Sequence, residues 1–224
     1  MSGQPRHPIR SIVGGSLGNL VEWYDWYIYS AFSLYFARSF FPKGDITAQL
    51  LSTSVVFAIG FLMRPLGGWL LGVLADRHGR KYALTWSITL MCLGSLMITC
   101  APTYASIGVA APLLLVIARM AQGLSLGGEF GTAATYLTEI APPDKRGFWS
   151  SFQYVTLIAG QLLALGLLVL LQFVFLDEAQ LEAYGWRIAF ATGAILAVTV
   201  FWLRRGIDET PDFIEEGSAE RRKG

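Results

Sequence analysis

The chain has 224 residues, of which 54% are hydrophobic and only 15% charged, with a formal net charge of +1. Soluble domains carry about 25% charged residues, so the composition excludes a disordered, collagen-like or disulfide-scaffold chain and argues against a water-soluble domain. The near-zero net charge leaves no basic footprint for nucleic acid.

The apolar residues come in long runs rather than amphipathic stripes. Six runs reach the roughly 20 residues a helix needs to cross a bilayer core of about 30 Å: residues 11–41, 50–74, 82–101, 110–140, 148–175 and 186–203. The first is not a signal peptide, because Asn19, Glu22 and Asp25 interrupt it and no small-residue cleavage site follows. The second runs into a loop reading Gly72-Val73-Leu74-Ala75-Asp76-Arg77-His78-Gly79-Arg80-Lys81, a tight cationic turn in which Gly79 allows the bend. The third holds Cys92 and Cys100, roughly 12 Å apart along a helix and too far for a disulfide, which reads as two free core thiols. On the fourth, Gly123, Gly127 and Gly131 repeat every four residues, and Gly160 and Ala164 do so on the fifth, a spacing that lets helices approach closely in lipid. After Leu203 the chain turns abruptly charged. The expected fold is all-α, a multi-pass six-helix transmembrane bundle.

Lys and Arg orient it. Twelve of the 17 fall on the N-terminus (Arg6, Arg10), the second and fourth loops and the C-terminal tail; three (Arg38, Lys43, Arg187) fall on the alternate side, and Arg64 and Arg119 within spans. Cytoplasmic segments are the ones enriched in these residues, so both termini face the cytoplasm.

Five ionisable side chains lie within the spans: Glu22, Asp25, Arg64, Arg119 and Glu129. At roughly 2.5–3.5 kcal/mol each, five unpaired charges would cost on the order of 15 kcal/mol. They must pair or line a watery cavity, and a purely structural salt-bridge network is one way to do so. At 100° per residue Asn19, Glu22, Asp25, Trp26, Tyr29 and Ser33 share one face of the first helix, opposite Leu20, Tyr24, Ile28, Ala31 and Tyr35. Arg119, Gln122, Ser125, Glu129, Thr132 and Tyr136 likewise share a face of the fourth. Asp25 and Arg119 sit at compatible depths, which makes a pair between them feasible. Three carboxylates against two guanidiniums leave one acid without an arginine, and burial favours its protonated form. Arginines beside a protonatable acid suit proton-coupled transport of an anion, because the guanidinium fork matches a carboxylate. There is no metal-ligand cluster and no nucleophilic triad, so an enzyme is not expected; His7 and His78 lie outside the spans.

The loop at residues 72–81 resembles the signature loop of the major facilitator superfamily. Gly18-Asn19-Leu20-Val21-Glu22-Trp23-Tyr24-Asp25, Gly60-Phe61-Leu62-Met63-Arg64-Pro65, Arg119-Met120-Ala121-Gln122-Gly123 and Gly127-Gly128-Glu129 resemble the signatures of its metabolite:proton symporter family. The run Ser151-Phe152-Gln153-Tyr154-Val155-Thr156-Leu157, the following Gly160-Gln161-Leu162-Leu163-Ala164-Leu165 and the end at Trp202-Leu203-Arg204-Arg205 resemble its 2-oxoglutarate-carrying branch.

The resemblance implies a secondary active transporter, or its N-terminal half, in the bacterial inner membrane. Residues 1–205 would form the six-span bundle and 206–224 the start of the cytoplasmic loop between halves. It implies Asp25, Glu22 and Glu129 as proton-coupling acids, and Arg64, Arg119, Asn19, Tyr29 and Gln122 as substrate-binding residues. Asp76, Arg77, Arg80, Glu139 and Arg146 would be cytoplasmic gating charges, with the Glu139–Arg146 spacing matching the Glu-x6-Arg pattern of related sugar porters; ordinary loop solvation is the alternative for this set. The implied substrate is a small carboxylate, 2-oxoglutarate first, with proline or betaine, citrate and shikimate as alternatives, and a truncated, non-transporting fragment as a rival. The coupling ion is a proton and no cofactor is expected. Family members have two six-helix halves, each a 3+3 inverted repeat with substrate between halves. The expected partners are therefore the lipid bilayer and a C-terminal six-span half or a second copy of the chain. No sequence repeat links the first three spans to the last three beyond the two polar helices.

Overall fold

A computed structural model describes residues 8–206, so all of the expected inter-half loop 206–224 except its first residue lies outside the described residues. Six long helices account for most of the chain: α1 (Pro8–Phe40), α2 (Ile46–His78), α3 (Arg80–Cys100), α4 (Ala110–Ile140), α5 (Arg146–Leu170) and α6 (Trp186–Arg205). Asp45 caps α2, its side chain accepting from Thr47 N at 2.9 Å. Gly79, at φ +100°, ends α2 and turns the chain into α3 within one residue, a backbone state that favours glycine. α5 continues through a π-helical turn to Phe175, and a capping box of Asp177 and Gln180 starts the short helical segment before α6.

Five of these helices, α2 to α6 with their flanking turns, are long and apolar enough to cross a membrane. α1 has the length, at 33 residues, but less apolarity. Its polar face is covered at Glu22, Asp25 and Trp26, and so are Tyr24 and Ile28 on the face expected to oppose it, while a stripe at Leu20, Trp23, Tyr27 and Ala31 is half-buried and Ser30 and Leu34 are exposed.

α1 and α4 occupy the centre. α4 packs along α2 and α3, α1 along α5 and α6, and α1 and α4 touch each other. The second helix of each triplet thus lies on the first helix of the other, the pattern of an inverted repeat that the sequence itself does not display. The α2–α4 crossing is close because glycine faces backbone: a Cβ on Gly123 would collide with the Gly60 carbonyl, and one on Gly127 with that of Arg64. Gly160 makes the same approach to α1 at Leu20 and Tyr24, whereas Gly131, expected in the same stripe as Gly123, faces open space. Toward the end of α1 opposite its N-terminus, Phe32, Phe36 and Phe40 pack with Trp186 and Phe190. Both cysteines are free, but Cys100 is exposed rather than in the core.

Candidate transport site

The polar residues of α1 meet those of α3 and α4 in successive layers along the bundle axis. In one layer Asp25 and Arg119 are both buried, Oδ2 to Nη1 at 3.5 Å. Ser95 of α3 donates to the Asp25 Oδ1, and Gln122 bridges the pair's two ends: its Nε2 donates to Ser95 Oγ at 3.2 Å and its Oε1 accepts from Arg119 Nη1 at 2.7 Å. The guanidinium lies against three rings, 4.1 Å from the centre of Trp26, 4.2 Å from Tyr29 and 5.6 Å from Phe57. Its Nε and Nη2, one of the two bidentate edges of the fork, have no hydrogen-bond partner.

Three residues earlier on α1, Glu22 makes no ion pair among the described residues. Its Oε1 accepts from Ser125 and, at 2.9 Å, from Ser87, and its buried Oε2 has no partner. Another turn back, Arg204 of α6 grips Glu129 of α4 with both Nη atoms. The same guanidinium donates to the Leu84 carbonyl of α3 and to Gly14 O of α1 at 3.3 Å. Gly18 lies directly against it, and a Cβ there would collide with Arg204 and Glu129.

This corrects the charge inventory. Arg204 belongs to the buried set and not to the cytoplasmic tail, while Arg64 is only half-buried, stacked 4.8 Å from Phe61 and 5.8 Å from Trp23. Two acids are therefore paired, Asp25 and Glu129, and Glu22 makes no ion pair among the described residues. Arg64 and Arg119 flank a cluster of Trp26, Phe57 and Phe61 whose rings are 4.9–5.7 Å apart. Tyr29 joins the site through its ring and anchors its hydroxyl on Thr53 O at 2.9 Å. Asn19 does not join it. Its amide donates to Gln153 O and Thr156 Oγ1 on α5 and accepts from Trp23 Nε1, so its hydrogen bonds are spent on helix packing.

At the ends of α2 and α4, Arg80 brings Asp76 (3.0 Å) and Glu139 (3.5 Å) together beside a cavity of about 140 Å³ walled by glycines of both helices. Arg77 and Arg146 are exposed and make no ion pair among the described residues, so the Glu139–Arg146 spacing does not produce a contact. Sequence reasoning did not place Arg204, Ser87, Ser95 or Phe57 at this site. Serines inside an apolar helix carry no charge to flag them, and Arg204 stands next to Arg205 at a helix end, where cations are ordinary.

A family profile described as sugar (and other) transporter matches residues 12–223. The chain belongs to that family. It is 58% identical to the alpha-ketoglutarate permease of Escherichia coli over 93% of its own length and 48% of the permease. A proline/betaine transporter of Salmonella typhimurium and the citrate–proton symporter of Klebsiella pneumoniae are each 37% identical, over 94% and 92% of this chain and 43% and 46% of theirs. Among solved structures, the partially occluded, inward-open xylose transporter XylE of E. coli superposes with a TM-score of 0.81 at 22% identity, covering 94% of this chain and 52% of XylE. The fold is thus the N-terminal six-helix half of a major facilitator, in a multi-pass inner-membrane protein. The chain spans about half the length of the curated relatives it matches.

Proposed function

We propose that this six-helix unit is one wall of a proton-coupled carboxylate symporter, with 2-oxoglutarate as its substrate. The observation that carries the reading is the Arg119 guanidinium. One Nη holds Asp25 and Gln122, while the Nε–Nη2 edge is buried, cushioned on aromatic rings and without an acceptor. A carboxylate fits that edge with two parallel hydrogen bonds. Arg64, across the Trp26–Phe57–Phe61 cluster, takes the second carboxylate of a dicarboxylate.

The proton enters through Asp25. When protonated, Asp25 no longer competes for Arg119, and the substrate anion replaces it as the counter-charge. Moving the proton and the anion together limits the charge buried while the site changes sides. The facing wall comes from a second six-helix half, in the same assembly or as another copy. The arginine already fills the aromatic cage, which argues for an anion over a quaternary ammonium such as betaine.

The test is uptake of labelled 2-oxoglutarate into proteoliposomes that contain this chain and a facing six-helix half, with betaine, citrate and shikimate as competitors. Uptake driven by an inward proton gradient and blocked by dicarboxylates is expected. Uptake blocked by betaine and indifferent to dicarboxylates overturns the assignment.

A further inference from the structure

Asp25, Ser95, Gln122 and Arg119 form a closed ring across α1, α3 and α4, and all four side chains are fully buried. The ring's hydrogen bonds run one way. Arg119 Nη1 donates to Gln122 Oε1 at 2.7 Å, Gln122 Nε2 to Ser95 Oγ at 3.2 Å, and Ser95 Oγ to Asp25 Oδ1. Asp25 Oδ2 closes the ring on Arg119 Nη1 at 3.5 Å. That direction is forced from both ends. A guanidinium only donates, so Gln122 turns its oxygen to Arg119 and its amide nitrogen to Ser95. An ionised carboxylate only accepts, so it takes the single hydroxyl proton of Ser95. Neighbouring glycines crowd the ring on two sides: a Cβ on Gly94 of α3 would collide with the Gln122 side chain, and one on Gly193 of α6 would lie 3.3 Å from Asp25 Oδ1. Arg119 is the charged group paired with Asp25, while Glu22, one turn away on α1, is held by Ser87 and Ser125.

A proton on Asp25 gives this ring one donor too many. Oδ2 faces the guanidinium, where a hydroxyl has nothing to donate to, so the proton settles on Oδ1 and points at Ser95 Oγ. Ser95 then accepts from both sides, and its own proton has no acceptor left in the ring. A buried donor without an acceptor is costly. Turning the Gln122 amide over removes that cost, because its oxygen then accepts from Ser95.

We propose that Ser95 and Gln122 form a hydrogen-bond switch through which protonation of Asp25 releases Arg119 to the substrate. Asp25 donates to Ser95, the Ser95 proton swings to Gln122 Oε1, and the Gln122 NH2 takes the place facing Arg119. Each group keeps its own protons, and the one added stays on Asp25. Arg119 Nη1 has now lost both acceptors, the carboxylate and the amide oxygen. Nε and Nη2 already lack partners, so the whole guanidinium is open to an incoming carboxylate, and the Gln122 NH2 adds a donor beside it. With Asp25 ionised, the amide oxygen in that place repels an anion instead. Ser95, which touches no substrate, is a positioning residue that makes anion binding conditional on the proton. This rests on the reading of Asp25 as the proton site and Arg119 as the carboxylate site.

The experiment is infrared difference spectroscopy of the chain in lipid bilayers, stepped from high to low pH without substrate, with isotope-labelled glutamine to mark the amide carbonyls. Asp25→Asn identifies the carboxyl band of protonated Asp25, and Gln122→Leu identifies the amide band of Gln122. In the parent chain the Asp25 band should grow and the Gln122 band should shift together as the pH falls. Ser95→Ala should keep the Asp25 band and lose the Gln122 shift, and Ser95→Thr, which restores the hydroxyl, should regain it. A merely structural role for Ser95 would not tie the two bands together. An Asp25 band with no change at Gln122 in the parent means that the Ser95 proton turns onto its own helix, and it overturns the proposal. So does a Gln122 shift undiminished in Ser95→Ala. The spectra need no substrate and so stand apart from the uptake assay. Proton-driven uptake without the Gln122 shift overturns the switch alone, and the Gln122 shift without 2-oxoglutarate uptake overturns the substrate assignment alone.

Discussion

Arg204, in the last turn of α6, holds Glu129, in the middle of α4, with both Nη atoms, and neither side chain is exposed. The pair ties four helices together, because the same guanidinium also reaches Leu84 of α3 and Gly14 of α1. Removing one partner of a buried pair strands the other, at a cost of about 3–5 kcal/mol. Arg204→Gln should therefore lower the melting temperature in detergent sharply, and Glu129→Gln/Arg204→Gln should recover most of the loss. A double variant as unstable as the single one contradicts this account.

Glu22 behaves in the opposite way. Its Oε1 accepts from two serines, and among the described residues its carboxylate makes no ion pair. Gln at this position keeps an acceptor for Ser87 and Ser125 and removes the option of a buried, unpaired charge. Glu22→Gln should melt at the parent's temperature or above it. A large drop would mean that Glu22 is ionised and held by a cation.

Asp25→Asn retains an acceptor for Ser95 while fixing the charge state of the proposed coupling acid. Accumulation against a gradient should be lost, whereas exchange of labelled for unlabelled substrate across the same membrane continues. Loss of both, with intact folding, would place Asp25 in substrate binding instead.

Of the charges expected to gate the cytoplasmic end, only some are in contact. Arg80 bridges Asp76 and Glu139, and Arg77 is exposed. Arg80→Ala should change uptake kinetics and raise protease access at the α2–α3 turn, while Arg77→Ala leaves both unaltered. Equal effects would reduce the cluster to loop electrostatics.

Much of the fold was legible because membrane spans are read from long apolar runs. The fourth helix ends at the expected residues 110–140, and α2 exceeds its expected 50–74 because its polar ends, Ile46 to Gln49 and Ala75 to His78, stay helical beyond the apolar stretch. The depth argument brought Asp25 and Arg119 to one level, since helical rise is nearly constant. Partner choice was less legible. Asn19 shares a helical face with Glu22 on paper, yet one turn of difference puts it against α5, where Gln153 and Thr156 take its amide. Arg204 was hidden for the converse reason: a cation at a helix end is ordinary in sequence, and only the fold shows that α6 ends beside Glu129.

The most direct test of the central claim compares Arg119 with Arg119→Lys in gradient-driven 2-oxoglutarate uptake, with a facing six-helix half present. Lysine keeps the charge and gives up the planar edge. Losing one charge-assisted hydrogen bond of about 1.5–3 kcal/mol should weaken apparent affinity about 10- to 100-fold. Undiminished, gradient-driven uptake by Arg119→Lys would contradict the assignment of Arg119 as the carboxylate-binding residue.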